Sequence, residues 1–383
     1  MNSVWEVMKG ITYDWRIMTV IENNEIIRIY GTEFKENTKK LLVEADLADM
    51  IPSKKCRIAI KPNLVSASEA SWGATTHTEI LAGIIEYLQE RGYNNLVIAE
   101  GSWVGDKTSV CFKVCGYDKL SRKYGVPLFD TQKDSSHTVD CAGMKLKICD
   151  CVDTFDFLIN VPVLKGHCQT RMTCALKNMK GLIPNSEKRH FHTMGLHKPI
   201  AHLSTALHPD FIVIDHICGD LDFEDGGNPV VRNCIMVATD PVLVDTYVCN
   251  MLHLKPHDVP YIPMAAALGS GSMDLEGAII RTLGEDMTKD LPAERKIVAL
   301  QDSVEEVESC SACYGYLIPA LQKLKEEGLL DKLPEKICIG QGYRGKTGKI
   351  GVGNCTSHFD FCVKGCPPVE SQIYEELKKY ITG

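Results

Sequence analysis

The amino-acid sequence predicts an α/β protein with a mostly parallel sheet covered by helices on both faces, followed by a small C-terminal α/β unit. Through the first 300 residues, short apolar stretches typical of buried strands alternate with stretches of helical periodicity. A polar, acidic segment at 285–309 then precedes a stretch with closely spaced cysteines. We therefore expect an α/β domain over 1–300, with an N-terminal extension at 1–30, and a separate unit over 301–383.

The strand predictions in the first domain rest on short apolar runs, which are typical of strands buried on both faces. They fall at 56–62, 95–101, 126–130, 156–164, 210–217 and 234–239. Apolar residues at helical spacing predict helices at 77–93 and 109–124. A helix is also predicted over 241–252, because Pro241 suits a first turn and Asp240 precedes it.

The C-terminal unit repeats this alternation on a smaller scale. Its predicted elements are a helix at 311–327, a strand at 336–340, a glycine-rich stretch at 340–353 and a helix at 368–381.

The composition is that of a soluble globular protein, and it argues against two classes of function. Lys and Arg number 42 against 50 Asp and Glu, so the net charge of −8 provides no general basic footprint for nucleic acid. No apolar stretch is long enough to span a bilayer, and charges interrupt the N-terminal region where a signal peptide needs an apolar core. We therefore expect a cytoplasmic protein that binds neither nucleic acid nor membrane.

Seventeen cysteines without a predicted export signal argue against a disulfide framework. Most of them stand singly among apolar residues, where free cysteine behaves as a small buried hydrophobe. Such tolerance of thiols indicates a reducing cytoplasm and hints at an anaerobic one.

Four cysteines near the C-terminus form the most informative pattern in the chain. Cys310 and Cys313 form C-S-A-C, and Cys355 and Cys366 follow, the last directly before Pro367. A close C-x2-C pair with a distant cysteine followed by proline is typical of iron–sulfur ligation. We therefore predict one 4Fe–4S cluster on these four thiolates.

Two alternatives to the cluster stay open at the level of sequence. A structural zinc ion also takes four thiolates, although usually from two C-x2-C pairs, and the cysteines could also be unrelated core residues. Cys362 is an alternate ligand that could replace Cys355 or Cys366.

Basic residues concentrate between 165 and 189, after the strand predicted at 156–164, in an otherwise acidic protein. Ligands of parallel α/β sheets bind outside the carboxyl ends of strands, where this segment and the K-P-N at 61–63 would lie. We therefore predict a pocket for a small anionic ligand, and a solvated basic run is the alternative. The residues predicted to bind this ligand are Lys61, Asn63, Arg171, Lys177 and Asn178, beside Lys165 and His167.

The predicted acid–base groups of this pocket are titratable side chains near the same strand ends. They are His77, Glu100, Lys165 and His167. The acidic stretch at 220–227 lacks the glycine and glutamate that a calcium loop needs, so it is interpreted as a turn.

Several stretches within 55–250 resemble the bacterial and archaeal domain-of-unknown-function 362 family. They are KPNLV (61–65), TTHTEIL (75–81), VIAEGS (97–102), PVLKGH and ALKNMKGLIP (within 162–184), GGNP (226–229) and TDPVLVD (239–245). Members are often described as iron–sulfur proteins, and the C-terminal cysteines look like the module of that version. The resemblance thus implies a cluster but no reaction, since the family has no established common activity. Thr78 stands where the family pattern has proline.

Together these features predict a redox protein whose cluster exchanges electrons with a partner protein and serves the anionic ligand. One alternative is a non-redox protein in which the cluster or zinc is only structural. Another is a lyase or isomerase that uses the cluster as a Lewis acid. The sequence predicts neither the substrate nor the oligomeric state.

Overall fold

The structure is a computed structural model that describes residues 20–167, 169–221, 224, 229–287, 300, 302–309 and 311–383. Four predicted features fall wholly or partly outside the described residues. They are the first 19 residues of the N-terminal extension, most of the acidic turn with GGNP, about half of the acidic boundary segment at 285–309, and Cys310.

The α/β class and the mostly parallel sheet are confirmed. Strands β1 to β12 are Glu25–Tyr30, Ile58–Pro62, Leu96–Glu100, Leu128–Asp130, Ser136–Cys141, Met144–Cys149, Phe157–Val161, Lys165–His167, Arg171–Thr173, Phe211–Asp220, Pro229–Ala238 and Ile279–Leu283. Within the described residues, eight of them form one sheet in the order β12-β1-β11-β10-β7-β2-β3-β4. Strands β10, β7, β2, β3 and β4 are parallel neighbours, whereas β11 is antiparallel to both β10 and β1. The pairs β5–β6 and β8–β9 are antiparallel hairpins outside this sheet.

Helices pack on both faces of the sheet. Helices α1 to α10 are Phe34–Glu44, Leu47–Met50, Thr78–Glu90, Thr108–Val114, Tyr117–Tyr124, Ala175–Asn178, Asn185–Met194, His197–Leu203, Pro241–Met251 and Tyr261–Ala267. Successive side chains of a strand point to opposite faces. Ile58 and Ile60 accordingly join the apolar cluster that contains α1 and α3, and Ala59 joins the cluster that contains α8, α9 and α10.

The structure differs from the expected elements at two places. The helix expected over 109–124 is divided into α4 and α5 at Gly116, whose φ of +79° favours glycine and breaks the helical path. Residues 25–30, expected to be part of an extension, form β1 between β11 and β12, because Ile26, Ile27 and Ile29 are buried in the two apolar clusters.

In the described part of the C-terminal unit there are four parallel strands and two long helices. Strands β13 to β16 are Val304–Glu306, Ile337–Ile339, Ile350–Val352 and Phe361–Val363, and helices α11 and α12 are Ser311–Glu326 and Glu370–Thr382. Leu317 and Leu321 of α11 and Leu377 of α12 belong to an apolar cluster of the unit's own. This core positions the segments that carry the C-terminal cysteines.

Asp240 caps α9 and anchors the following loop, so its replacement tests the predicted helix entry. Asp240 Oδ1 accepts from the N–H groups of Val242 (2.8 Å) and Leu243 (2.9 Å), and Oδ2 accepts from the N–H of Ser272 (2.7 Å). We expect Asp240→Ala to lower the free energy of unfolding by about 1–2 kcal/mol in urea titrations. Asp240→Asn keeps one acceptor oxygen, so it should lower the free energy of unfolding by less than Asp240→Ala does. An alanine variant as stable as the wild type would contradict the cap.

Candidate functional site

A polar pocket lies at the edge of the sheet where the parallel strands β2 and β3 end. Their carboxyl ends meet there because the two strands are direct neighbours. The residues that follow each strand form one wall, and the segment after β9 forms another. Lining residues with charged or amide side chains are Asn63, Glu100, Lys177, Asn178, Lys180, Lys188, His192 and Glu224. This is the edge at which ligands of α/β proteins bind.

Glu224 is bonded to three basic side chains beside the pocket. Its Oε1 accepts from Lys177 Nζ (2.9 Å), its Oε2 lies 2.8 Å from His167 Nε2, and its backbone carbonyl accepts from Lys165 Nζ (2.8 Å). Burial by itself raises the pKa of Glu224, but His167 and Lys177 hold it well below its usual range. The carboxylate therefore stays ionised and fixes the positions of these donors.

His167 is a neutral donor rather than a cation. Its Nδ1 accepts from the N–H groups of Gln169 (3.1 Å) and Thr170 (3.0 Å), so the proton is on Nε2 and points to Glu224. Burial lowers the pKa of His167 to about 4, which keeps the imidazole neutral at pH 7. Its role in this arrangement is to orient Glu224.

Lys61 and Glu100 form a buried ion pair behind the pocket wall. Lys61 is 0% exposed and Glu100 3%, and Lys61 Nζ donates to Glu100 Oε2 and to the carbonyl of Pro62 (2.9 Å). Burial lowers the pKa of Lys61 and raises the pKa of Glu100. A Cβ at Gly181 would lie 2.3 Å from Glu100 Oε1 and 2.6 Å from Lys61 Nζ. The pair therefore requires glycine at this position.

Lys188 is a second buried amine at the pocket wall. Its Nζ donates to the carbonyls of Gly101 (2.9 Å) and Ser102 (2.8 Å). Burial lowers the pKa of Lys188 to about 8, and burial together with Lys180 lowers the pKa of His192 to about 2. This wall thus carries an amine held by neutral carbonyls and a neutral imidazole.

Lys180 lines the same wall with its amine unbonded. Its Nζ lies 6.0 Å from the centre of the Phe191 ring, and no hydrogen bond or ion pair of this amine occurs within the described part of the chain. Burial, together with the nearby charges of Lys177 and Lys188, lowers the pKa of Lys180 to about 7. Among the described residues Lys180 forms no direct ion pair, and Glu224 acts on it only at longer range, an arrangement that suits an anion.

The structure brings most of the sequence-predicted pocket residues together. Asn63, Glu100, Lys177 and Asn178 line the pocket, Lys61 lies behind Glu100, and Lys165 and His167 contact Glu224. The roles predicted for these residues stay predictions.

Arg171 lies outside the pocket lining. It is the first residue of β9 and has a φ of +65°, whereas the helix that contains Lys177 and Asn178 starts only at Ala175. The helix begins there because the carboxylate of Asp245 accepts from the N–H groups of Ala175 (2.7 Å) and Leu176 (3.2 Å).

His77 lies apart from Glu100, in a buried pair with Asp215. Asp215 Oδ2 is 2.8 Å from His77 Nδ1 and accepts from the His77 N–H at 2.8 Å, and Cys218 Sγ lies 3.6 Å from His77 Nε2. Burial by itself lowers the pKa of His77, but Asp215 raises it to about 10. The charged pair ties the start of α3 to β10.

The sequence did not single out Glu224, Lys180 or Lys188 as site residues. Glu224 lies in the acidic stretch interpreted as a turn, and Lys180 and Lys188 lie in the basic segment without a signal that separates them from its exposed members. Lys188 becomes buried and Lys180 half-buried only when this segment packs against the ends of β2 and β3, where Glu224 also lines the pocket.

The segments with Cys313, Cys355 and Cys366 meet at Gly353 in the C-terminal unit. A Cβ at Gly353 would lie 3.3 Å from Cys313 Sγ and 3.8 Å from the carbonyl of Gly365, the residue before Cys366. Cys355 lies in the turn Asn354–Thr356 that directly follows Gly353. Glycine thus leaves a space, next to one thiol, that any side chain would fill.

Cys362 is bonded locally, since its Sγ donates to the carbonyl of Gly353 (3.4 Å) and lies 3.4 Å from Thr356 Oγ1. Among the residues that the structure describes, which exclude Cys310, no three His, Cys, Asp or Glu side chains form a group that could hold a metal ion. The choice of cluster ligands therefore stays a prediction.

The family model described as "Domain of unknown function (DUF362)" matches residues 58–250, half of the chain. The protein belongs to the DUF362 family. The predicted family resemblance is thereby confirmed. This DUF362 protein is also similar to a thylakoid-associated protein of Synechocystis sp., with 23% identity over 220 residues that cover 56% of this chain and 68% of the relative.

Two solved structures share a partial likeness with this DUF362 protein. One is the lactate racemase apoprotein from Thermoanaerobacterium thermosaccharolyticum, at 14% identity and a TM-score of 0.41, which covers 59% of this chain and 56% of that one. The other is a Thermotoga maritima protein at 14% identity and a TM-score of 0.34, which covers 48% and 51%. The chain thus spans just over half the length of either structure. Within its described residues, no helix has the length and apolar character needed to cross a membrane.

The His77–Asp215 pair predicts a pH-dependent difference in stability. Because the folded pKa of His77 is raised to about 10, its stabilising contribution is complete below the unfolded value of about 6.5 and is lost as the pH rises through 10. We expect His77→Gln to lower the free energy of unfolding by about 3 kcal/mol near neutral pH and by less at high pH, in urea titrations across pH. The substitution of the exposed His257 by Gln is the control, and it should change the free energy of unfolding little at any pH. If the loss in free energy of unfolding caused by His77→Gln increased with pH, the result would contradict the ion pair.

Proposed function

We propose that this DUF362 protein is a redox protein that binds a small anionic ligand in the lysine-lined pocket and carries a 4Fe–4S cluster in its C-terminal unit. The observation that carries the proposal is the contact of Gln169 with the segment before the first cluster cysteine. Gln169 Nε2 donates to the carbonyl of Ser309 (3.2 Å) and to Glu306 Oε1 (3.0 Å). Gln169 lies two residues after His167, which contacts Glu224 at the pocket. A ligand site and a cluster site joined in this way can work together.

The anion part of the proposal is supported by the charges of the pocket. Glu224 is already bonded to Lys177 and His167, and Glu100 to Lys61. Lys188 is held by neutral carbonyls, and its ammonium has three N–H groups of which two are used. A carboxylate or phosphate oxygen would accept the remaining donor and lower the cost of burying the charge.

The cluster part of the proposal is supported by the donor set and by the space at Gly353. Cys310, Cys313, Cys355 and Cys366 would hold the group, and a 4Fe–4S cluster supplies one-electron transfer when bound. Gly353 has a φ of +94°, and its missing side chain leaves room next to Cys313 Sγ. Cys362, with its thiol bonded to Gly353 and Thr356, would remain outside the ligand set. A redox partner protein would exchange electrons at this unit.

The chain's own residues would divide the remaining work of the pocket. Lys180 and Lys188 would bind the anion, His167 and Lys177 would keep Glu224 ionised and in place, and Asn178 would stiffen the floor. Asn178 Nδ2 donates to Asn160 Oδ1 (2.7 Å) below the pocket. We also propose a cytoplasmic location, which is supported only by the sequence.

Two alternative hypotheses use the same cysteines as ligands but assign the bound group a different role. In one, the cluster or a zinc ion only stabilises the C-terminal unit, and in the other the cluster is the Lewis acid of a lyase or isomerase. The contact of Gln169 favours a role connected with the pocket over a purely structural one.

The anion site predicts binding that weakens as the pH rises. Sulfate keeps its charge over this range, whereas Lys180, with a pKa lowered to about 7, loses its proton. We expect sulfate to bind about tenfold more tightly at about pH 6 than at about pH 8.5 in calorimetric titrations. Lys180→Met should bind more weakly and lose part of this pH dependence, the rest of which comes from Lys188 with its pKa of about 8, whereas the exposed Lys198→Met should behave like the wild type. Equal binding by wild type and Lys180→Met would count against the site.

The cluster predicts a coloured protein whose colour depends on particular cysteines. We expect anaerobically purified wild type to be brown, with iron and sulfide, and its broad absorption to be bleached by dithionite. Cys313→Ser and Cys366→Ser should lose most of the iron. Cys338→Ser, on β14 of the same unit, is the matched control and should keep it. A colourless wild type with stoichiometric zinc would rule out the redox proposal.

A further inference from the structure

Lys180, which is half-buried, differs from the buried lysines around the pocket in the bonding of its amine. Four neighbouring amines each donate to carboxylate, hydroxyl or carbonyl oxygens, and they belong to Lys61, Lys165, Lys177 and Lys188. Lys180 Nζ has only the contact with the Phe191 ring among the residues that the structure describes. Its amine is therefore positioned at the pocket wall without being used for packing or capping.

The surroundings of Lys180 favour the neutral form of the amine. The Phe191 ring and the half-buried position remove water, and the charges of Lys177 and Lys188 disfavour a further cation. The resulting pKa of about 7 leaves a large share of the amine unprotonated at neutral pH. Desolvation and cationic neighbours are the means by which proteins make a lysine nucleophilic.

We propose that Lys180 is a nucleophile that forms an imine with the carbonyl group of a small 2-oxo acid bound in the pocket. The proposal rests on the anion site described above, since the carboxylate of such an acid would accept the remaining N–H of Lys188. A 2-oxo acid carries its carbonyl directly beside its carboxylate. The carboxylate of one such molecule can therefore contact Lys188 while its carbonyl group contacts the amine of Lys180 on the same wall.

The chemistry needs no further reactant. The lone pair of Lys180 Nζ attacks the carbonyl carbon, so that a C–N bond forms and the oxygen is protonated to give a carbinolamine. The C–O bond then breaks, and the oxygen leaves as water with the two hydrogens that the amine gave up. The product is a C=N bond between the ligand and Lys180, and no electron is gained or lost.

The test is reductive trapping on the full-length protein. Wild type is incubated with pyruvate and cyanoborohydride at about pH 7, and modified lysines are located by peptide mass spectrometry. We expect one carboxyethyl group per chain, formed on Lys180 at least about tenfold faster than on exposed lysines such as Lys198, because exposed amines are almost fully protonated. Sulfate should slow this modification, because it occupies the anion site. Lys180→Arg should lose it, whereas Lys198→Arg should not.

Two outcomes would overturn the inference, and they separate it from the proposed function. Modification spread evenly over exposed lysines, or none at all, while sulfate still binds, would exclude the imine and leave the anion site intact. Modification of Lys180 that sulfate does not slow would show that the amine reacts outside an anion site, against the inference as stated. Because the sulfate competition uses the wild type, the test does not depend on the folding of a variant.

Discussion

The pocket depends on the contacts that the half-buried carboxylate of Glu224 makes. Glu224 receives Lys177 and His167 on its two oxygens, and its backbone carbonyl receives Lys165. A buried ion pair is expensive to break, because the remaining partner keeps its desolvation cost without its counter-charge. The β8–β9 hairpin, α6 and Glu224 are therefore held together by one set of ion-pair and hydrogen-bond contacts.

These contacts matter for function, because they give some of the pocket lysines a carboxylate partner and leave other lysines without one in the described part of the chain. Lys177 is paired with Glu224 and Lys61 with Glu100, while Lys180 and Lys188 form no direct ion pair with a carboxylate of the described residues. In a network with only a structural role, we would expect each buried charge to be paired with an opposite charge of the protein. The imbalance lies at the carboxyl ends of parallel strands, where a ligand can supply the missing negative charge. The same hairpin reaches the C-terminal unit through Gln169.

The fold could be predicted from the sequence because its signals are local. Alternating apolar strands and amphipathic helices predict the parallel sheet, and Asp240 before Pro241 predicts the start of α9. The site could be predicted only in part. Residues next to strand ends, such as Lys61, were recognisable from their place in the pattern. Glu224 and Lys180 were not, because their roles come from pairing and burial between segments distant in sequence.

The proposed metal ligation would similarly depend on segments that meet, since the cysteines come from three parts of the C-terminal unit. The central claim is that an iron–sulfur unit and an anion-filled lysine pocket occur together in one molecule. An anaerobic crystal structure with anomalous scattering at the iron edge tests it most directly. We expect an iron cluster on Cys310, Cys313, Cys355 and Cys366, and an anion within hydrogen-bond distance of Lys180 and Lys188. Zinc or no metal at the cysteines, with only water beside the two lysines, would contradict the claim.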